Sequence, residues 1–373
     1  MKMRLQNWLV LLLVLILILF PSQAVLAVPG IPGSPDFGNG GVVYPNGPDV
    51  KEALAMAADL DLDWINLPIH WDQLQPNPEK PPLFTALDSL IEGSEMHGTA
   101  VMVSISDAPD WALTINGPDP EKSAAFVNAL AGRYPGGLQA VELFPGANTR
   151  QAWEGQVSPQ AYFQVFQAVA EGLRREHLSL QLVAAGLQPL PEIPLEGDIQ
   201  DLVFLEGLYA QGAADWMPVI SLQYPELTGE PMVLPTSQEE RVFRHYEAVR
   251  NVMVKNQHYS GIIWITQISL PSGKIDVQDL QYLNSEAPQV VWLSQAYYLL
   301  RSQLYIGVAF IPSLNSNGEG AAAHVLSLIR GAGDYHPFYS VFRKITGRTQ
   351  ENSLEDKPGK HKEGSLEKKR PWF

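Results

Sequence analysis

The residues able to do chemistry fall into three sets, and each points to a different use. Asp107, Asp110, Glu154 and Glu226 are carboxylates in turn-rich stretches of the 373-residue chain. A facing pair of such groups is the machinery of acid/base hydrolysis. Trp71, Trp111 and Trp153 are aromatic, and their rings either pack on the apolar C–H faces of a sugar or cap a core. His70, Asn148, Gln188, Gln223, Tyr224 and Gln267 form the polar set, suited to hydrogen-bonding ligand hydroxyls or to satisfying loop backbone. The absence of cysteine excludes zinc-thiolate, iron–sulfur and cysteine-nucleophile chemistry. The eight histidines show no i, i+4 pair and no His-Glu cluster, so neither a metal nor another cofactor is expected.

What must position these side chains is a regular alternation of elements. Short apolar, β-branched runs occur at residues 41–44, 64–69, 100–105, 140–144, 181–186, 219–223, 261–266 and 305–310. Stretches of helical periodicity separate them, among them 159–176 and 238–256. Eight strands alternating with helices predict an α/β protein, a single-domain (β/α)8 barrel over residues 36–347. The competing architecture, an open doubly wound sheet, needs a Gly-rich phosphate turn leading into a helix, and Gly38-Asn39-Gly40-Gly41 has no helix in that register. In a barrel of this kind the active site lies at the carboxyl ends of the strands. All three sets fall at or just after such ends.

The segments outside the barrel have their own signatures. Lys2 and Arg4 precede an apolar run from Trp8 to Phe20, and Ala27 ends a small-residue cleavage site. Residues 1–27 are therefore expected to be a signal peptide and the protein to be secreted. Retention of that run as an uncleaved anchor is the alternative, although 13 residues is short for a span of ~20. Residues 28–35 are Pro/Gly-rich and read as a linker. Residues 348–373 are rich in Glu, Lys, Ser and Gly and are expected to be disordered.

Several segments together are similar to a known family. Leu62-Asp63-Trp64-Ile65-Asn66 with His70-Trp71, and Ala108-Pro109-Asp110-Trp111 after the third strand, resemble the clan of retaining glycoside hydrolases that includes cellulases and β-xylosidases. The resemblance runs from about Phe37 to Thr346, and His336-Pro337-Phe338-Tyr339 keeps it in frame near the end. In that clan the fourth strand ends in Trp-Asn-Glu-Pro-Asn, whose Glu is the general acid/base. Here the stretch is Phe144-Pro145-Gly146-Ala147-Asn148, which puts Gly146 at that position. The clan's seventh strand ends in Thr-Glu, whose Glu is the nucleophile, and here Thr266 is followed by Gln267. The resemblance thus implies a hydrolase scaffold lacking both carboxylates. Glycine offers no proton and an amide is a poor nucleophile, so turnover by the usual route is not expected.

Charge narrows the partner. Between leader and tail the chain carries 35 acidic and 16 basic residues, which argues against nucleic acid and against anionic membranes. A neutral carbohydrate is the expected ligand, with a protein partner as the alternative. Three readings follow: an inactive barrel that binds through its old cleft, an active hydrolase with a relocated carboxylate pair, and a structural or interaction module of an extracellular assembly. The first requires strand-end aromatics exposed in an open cleft, the second two facing carboxyl groups, and the third a cleft filled by side chains. Glu142 is expected to be buried and structural. Trp264 is expected to be core and, by strand alternation from Gln267, to face the helices.

Overall fold

The computed structural model describes residues 28–34, 36–176, 178–225, 227–235, 241–269, 286–317 and 327–347. The expected leader, the tail and Glu226 lie outside the described residues. Eight parallel strands close into a barrel: β1 (Gly38–Val42), β2 (Trp64–His70), β3 (Ala100–Ser106), β4 (Ala140–Leu143), β5 (Gln181–Leu187), β6 (Val219–Tyr224), β7 (Ile262–Ile268) and β8 (Ile306–Ser313). Each strand pairs with its sequence neighbour, and β8 returns to pair with β1. The (β/α)8 barrel read from the sequence is therefore the fold.

Among the described residues the longer helices around it are α1 (Val50–Asp59), α2 (Thr85–His97), α3 (Pro120–Arg133), α4 (Pro159–Arg175), α5 (Asp201–Ala210), α6 (Tyr246–Lys255), α7 (Glu286–Arg301) and α8 (Phe338–Thr346), with single turns at Trp71–Leu74 and Arg150–Trp153. Local chemistry sets their starts. Asp119 accepts hydrogen bonds from the backbone N–H groups of Glu121 and Lys122, and Ser158 accepts one from that of Ala161, each just ahead of a proline at the first helical position. The helix expected from residue 238 begins only at Tyr246. Val242 pairs with Thr228 in an isolated bridge and a 3-10 turn intervenes.

The barrel interior is filled by two indoles set against very small partners. Trp64 and Trp264 meet edge to face with ring centroids 4.9 Å apart, and Phe310 lies above them. The neighbouring strand β1 supplies glycines because nothing larger fits. A Cβ on Gly40 would lie 2.6 Å from the Phe310 ring, and one on Gly38 would lie 2.9 Å from Trp64. Trp264 is thus core, but it faces the barrel axis and not the helices. The alternation argument fails at a bulge: Leu222 pairs with Ile265 while Gln223 pairs with Gln267, so β7 carries one extra residue.

The stretch read as a linker begins as a plug. The carbonyl of Pro29 accepts a hydrogen bond from Trp64 Nε1 at 2.7 Å, and that of Gly30 accepts one from Trp264 Nε1 at 2.8 Å. Val28 and Ile31 pack against the same interior cluster. Gly30 has φ +82°, and a Cβ there would lie 2.4 Å from Val308 Cγ2 and 2.5 Å from the Gly307 carbonyl. Without the plug both indole N–H groups lose their acceptors, at ~1–3 kcal/mol each when buried. A chain starting at Ile31 should therefore be less stable than one starting at Val28 by about 2 kcal/mol or more, and Gly30→Ala should behave similarly. Urea unfolding of the three proteins checks this.

Candidate functional site at the barrel mouth

The inward side chains change character toward the carboxyl ends of the strands. Above the indole layer Glu142 points from β4 into the barrel and is fully buried. Its Oε1 accepts a hydrogen bond from Thr266 Oγ1 at 2.6 Å, and its Oε2 lies 2.5 Å from Ser104 Oγ. Ser104 Oγ is also 3.0 Å from Asn66 Oδ1. Burial pushes the Glu142 carboxyl up from its usual range, partly offset by hydrogen bonds from Ser104, Thr266 and Ser221.

Directly over this layer is a cavity of about 120 Å³. At the ~30 Å³ a water occupies in the liquid, that is the space of about four waters, suited to a small group and not to a chain of sugars. Hydroxyls of Tyr44, Ser104, Ser106, Thr266 and Ser313 and amides of Asn66, Gln223 and Gln267 line it, with apolar surface from Val42, Pro68, Pro145 and Phe310. No carboxylate or cation is among the described lining residues.

Of the polar residues singled out from sequence, the structure brings Gln223 and Gln267 together in this mouth, with Gln188 beside them. Gln188 Nε2 donates to Gln223 Oε1 at 3.2 Å, and Gln223 pairs in register with Gln267. The others are elsewhere. Asn148 is buried and ties two loops together: its Nδ2 donates to the carbonyls of Gln188 and Ile199, and its Oδ1 accepts from Gln188 N. Tyr224 is buried against Phe243, and its hydroxyl accepts from Tyr246 N at the start of α6. Neither can contact a ligand in the mouth.

The aromatic platforms are also corrected. Trp71 is buried and stacks on Phe126 with centroids 4.8 Å apart. Trp153 is buried between Phe144 and Tyr162, its indole donating to the carbonyl of Asn116. Trp111 is half-buried, donates to the carbonyl of Gln75 and carries Lys122 Nζ 5.9 Å above its ring. The rings of Trp71 and Trp153 therefore serve packing, whereas part of the Trp111 ring stays exposed outside the mouth cavity. The aromatic side chains that do line the mouth are Tyr44, partly exposed just past β1, and the buried Phe310.

His70 stands on the rim, hydrogen-bonded through Nδ1 to Asp107 Oδ2, and Ser106 Oγ also donates to Asp107 Oδ2 at 2.7 Å. These bonds, that of His70 foremost, hold the Asp107 carboxyl below its usual range. Glu154 accepts from Ala108 N at 2.9 Å. Burial first, and then the charges of Asp107, Asp72 and Asp110, raise it. Asp107 has φ 51° and Glu154 φ 57°, both in the left-handed region. Asp107, Asp110 and Glu154 thus share one corner of the rim, and none of them lines the mouth cavity. Glu154 instead borders an outer groove with Arg150, Glu196 and Asp198.

Gly146 does not open a space where a carboxylate is missing. Its φ is +86°, and its N–H donates to the carbonyls of Ala185 and Gly186. A Cβ would lie 2.8 Å from both Ala152 Cβ and Gln188 Nε2. Sequence reasoning passed over Tyr44, Asn66, Ser104, Ser106, Thr266 and Ser313. The signal that could have found Asn66, Ser104 and Ser106 is the inward alternation Trp64, Asn66, Pro68 and Met102, Ser104, Ser106.

No protein-family model matches the chain, and no curated protein matches it. The closed barrel is glycoside hydrolase-like in fold. Three solved structures are similar to it. A family 39 glycoside hydrolase from Bacteroides cellulosilyticus WH2 aligns with TM-score 0.58 and 14% identity, over 83% of this chain and 63% of that one. This chain thus spans just under two thirds of that protein's length. The β-glycosidase BGL167 aligns with TM-score 0.56 and 14% identity, over 88% and 100% of the two chains. An endo-β-1,4-glucanase from Xanthomonas axonopodis pv. citri gives 0.54 and 9%, over 83% and 99%.

The buried carboxyl yields a prediction about stability. A carboxyl whose folded pKa is raised binds its proton more tightly in the native state than in the unfolded one. Stability then falls as pH rises from the unfolded value of ~4.3 toward the folded value, at up to about 1.4 kcal/mol per pH unit. Glu142→Gln keeps the shape and has no proton to lose. Its stability relative to wild type should therefore climb with pH across that window and level off above it. Urea midpoints at several pH values read this directly. A difference that stays flat across the window would mean that Glu142 titrates normally.

Proposed function

We propose that this chain is an exported carbohydrate-binding protein built on a glycoside hydrolase-like barrel, without hydrolytic activity. The observation that carries the reading is the chemistry of the mouth: amides and hydroxyls on a small cavity, with no charged group among its described lining residues. Such groups both donate and accept, which suits neutral ligand hydroxyls. They supply neither the proton nor the nucleophile that glycoside cleavage needs. The backbone at Gly146 adds support, since a glutamate there meets Gln188 and Ala152. The leader motivates export. The exposed strand-end tryptophans expected of a binding cleft are not found, since Trp71 and Trp153 are buried, so the reading rests on the polar lining, and the unfilled mouth speaks against a purely structural role.

A second reading has one observation in its favour. Glu154 is pushed up and Asp107 held down at the same corner of the rim, and two carboxyls pushed apart in this way can divide acid and base roles. Their position outside the mouth cavity ranks this reading second.

Both readings meet one experiment on purified protein: a panel of aryl β-glycosides for turnover, and neutral monosaccharides for binding by saturation-transfer NMR. The expected result is binding with no hydrolysis above background. Gln223→Ala and Gln267→Ala should each weaken binding about fivefold, the value of ~1 kcal/mol for one hydrogen bond. Hydrolysis at ordinary enzymatic rates, abolished by Asp107→Asn or Glu154→Gln, would replace this reading with the second. Failure to bind any sugar would end the carbohydrate assignment.

A further inference from the structure

Counting hydrogens beneath the mouth shows how its floor is wired. Ser104 carries one hydroxyl hydrogen, yet its oxygen lies within hydrogen-bond distance of two acceptors, Glu142 Oε2 at 2.5 Å and Asn66 Oδ1 at 3.0 Å. With the Asn66 amide turned over, its Nδ2 donates to Ser104 and Ser104 donates to an ionised Glu142. With the amide oriented so that Oδ1 faces Ser104, both contacts are hydrogen bonds at once when protonated Glu142 supplies a second hydrogen. The chain of donors then runs in one direction. Thr266 donates to Glu142 Oε1, Glu142 donates through Oε2 to Ser104, and Ser104 donates to Asn66 Oδ1. Removing the Glu142 proton turns the Ser104 hydrogen toward the carboxylate and releases Asn66 Oδ1.

Asn66, Ser104 and Thr266 all line the mouth, whereas Glu142 itself is fully buried. We propose that Glu142 is a positioning residue whose protonation state, relayed through Ser104, decides whether the Asn66 carbonyl is committed within the protein or offered to a ligand in the mouth. With the acid neutral, the floor suits an uncharged polyhydroxyl ring, with Asn66 presenting its N–H groups. With the acid ionised, a negative charge lies one hydroxyl below the cavity, and the ligand class it favours is a ring bearing a protonated amine. The ligand part rests on the carbohydrate reading; the relay is a property of the chain alone.

The groups around Glu142 make this carboxyl a simple reporter. Facing it are Ser104 of β3, Ser221 of β6 and Thr266 of β7, none of which titrates in the accessible range. The titratable group that feels it is Tyr162 of α4, buried and pushed far above its usual range, so it stays neutral throughout. Desolvation of Glu142 favours its neutral form, and with it the orientation in which Asn66 Oδ1 faces Ser104.

The test is a pH titration of full-length protein by NMR, following the Glu142 carboxyl carbon and the Asn66 side-chain NH2 group without any ligand. The two signals should move with one shared midpoint above the ordinary carboxylate range. The Asn66 transition should vanish in Glu142→Gln and, with the relay cut, in Ser104→Ala. An Asn66 signal that ignores the Glu142 titration, or that still follows it in Ser104→Ala, would overturn the relay. Ser104→Ala keeps the test open should the Glu142 variant fail to fold. A second arm compares glucose with its ring-nitrogen analogue 1-deoxynojirimycin. The preference for the amine should rise tenfold or more through the midpoint in wild type and stay constant in Glu142→Gln. A constant preference in wild type would overturn the ligand role. Absence of binding by both sugars would count against the carbohydrate reading, with the Asn66 signal still deciding the relay.

Discussion

Closure of eight parallel strands fixes the cross-section of the interior, and the rest of this molecule answers to that constraint. A barrel of this size has room for about four inward side chains per layer. Two of the places in the lower interior are taken by the indoles of Trp64 and Trp264. Their bulk forces the opposite choice nearby, which is why β1 reads Gly38-Asn39-Gly40-Gly41. Gly38 and Gly40 let Trp64 and Phe310 approach, while Gly41 lies against Leu62 and Leu314. The indole N–H groups then need acceptors in a place with none, and the carbonyls of Pro29 and Gly30 provide them from below. Filling the barrel thus decides the sequence of one strand and the path of the segment before it.

The same constraint explains why the carboxyl end of the barrel is polar. Large apolar side chains occupy the lower layers, and the upper layers taper into hydroxyl and amide groups around Glu142. A buried carboxyl without a partner is costly. Here three hydroxyl side chains and a neutral protonation state reduce that cost. An apolar residue of similar volume would serve packing equally well, so packing does not account for the presence of an acid. Its connection to the mouth through Ser104 and Thr266 is the feature that distinguishes it from filler.

The fold was legible because most strands are largely buried on both faces and read as mainly apolar runs, the glycine-rich β1 being the exception. The site was legible only in part, and the failures share a cause. Strict alternation assigned Trp264 to the helices, but β7 holds an extra residue at its bulge, and a bulge leaves no mark in a single sequence. Position after a strand end suggested Trp71 and Trp153 as platforms. Yet the loops that carry substrate contacts also need something to pack on, and a tryptophan there fits both roles. The packed row Trp111, Trp71, Phe144, Trp153 and Tyr162 shows which demand prevailed. Asn148 misled for the complementary reason, because a side-chain amide satisfies loop backbone as readily as a sugar hydroxyl. Small residues such as Ser104 and Ser106 went unnoticed, although alternation with Met102 placed them inward.

What happened around Gly146 bears on how this barrel relates to hydrolases of the same fold. Loss of one carboxylate by substitution leaves a gap of the same shape, which a reverse substitution could refill. Here the chain at Gly146 adopts a left-handed conformation, its N–H is engaged by two carbonyls of the β5 end, and Gln188 occupies the space a side chain would need. Gln188 and Gln223 are in turn joined by a side-chain hydrogen bond, with Gln267 on the adjacent strand beside them. Transition-state stabilisation depends on charge placed where charge develops, and an uncharged amide network binds the ground state of a neutral ring without favouring its cleavage. The proposal that this mouth binds and does not cleave rests on that physical difference.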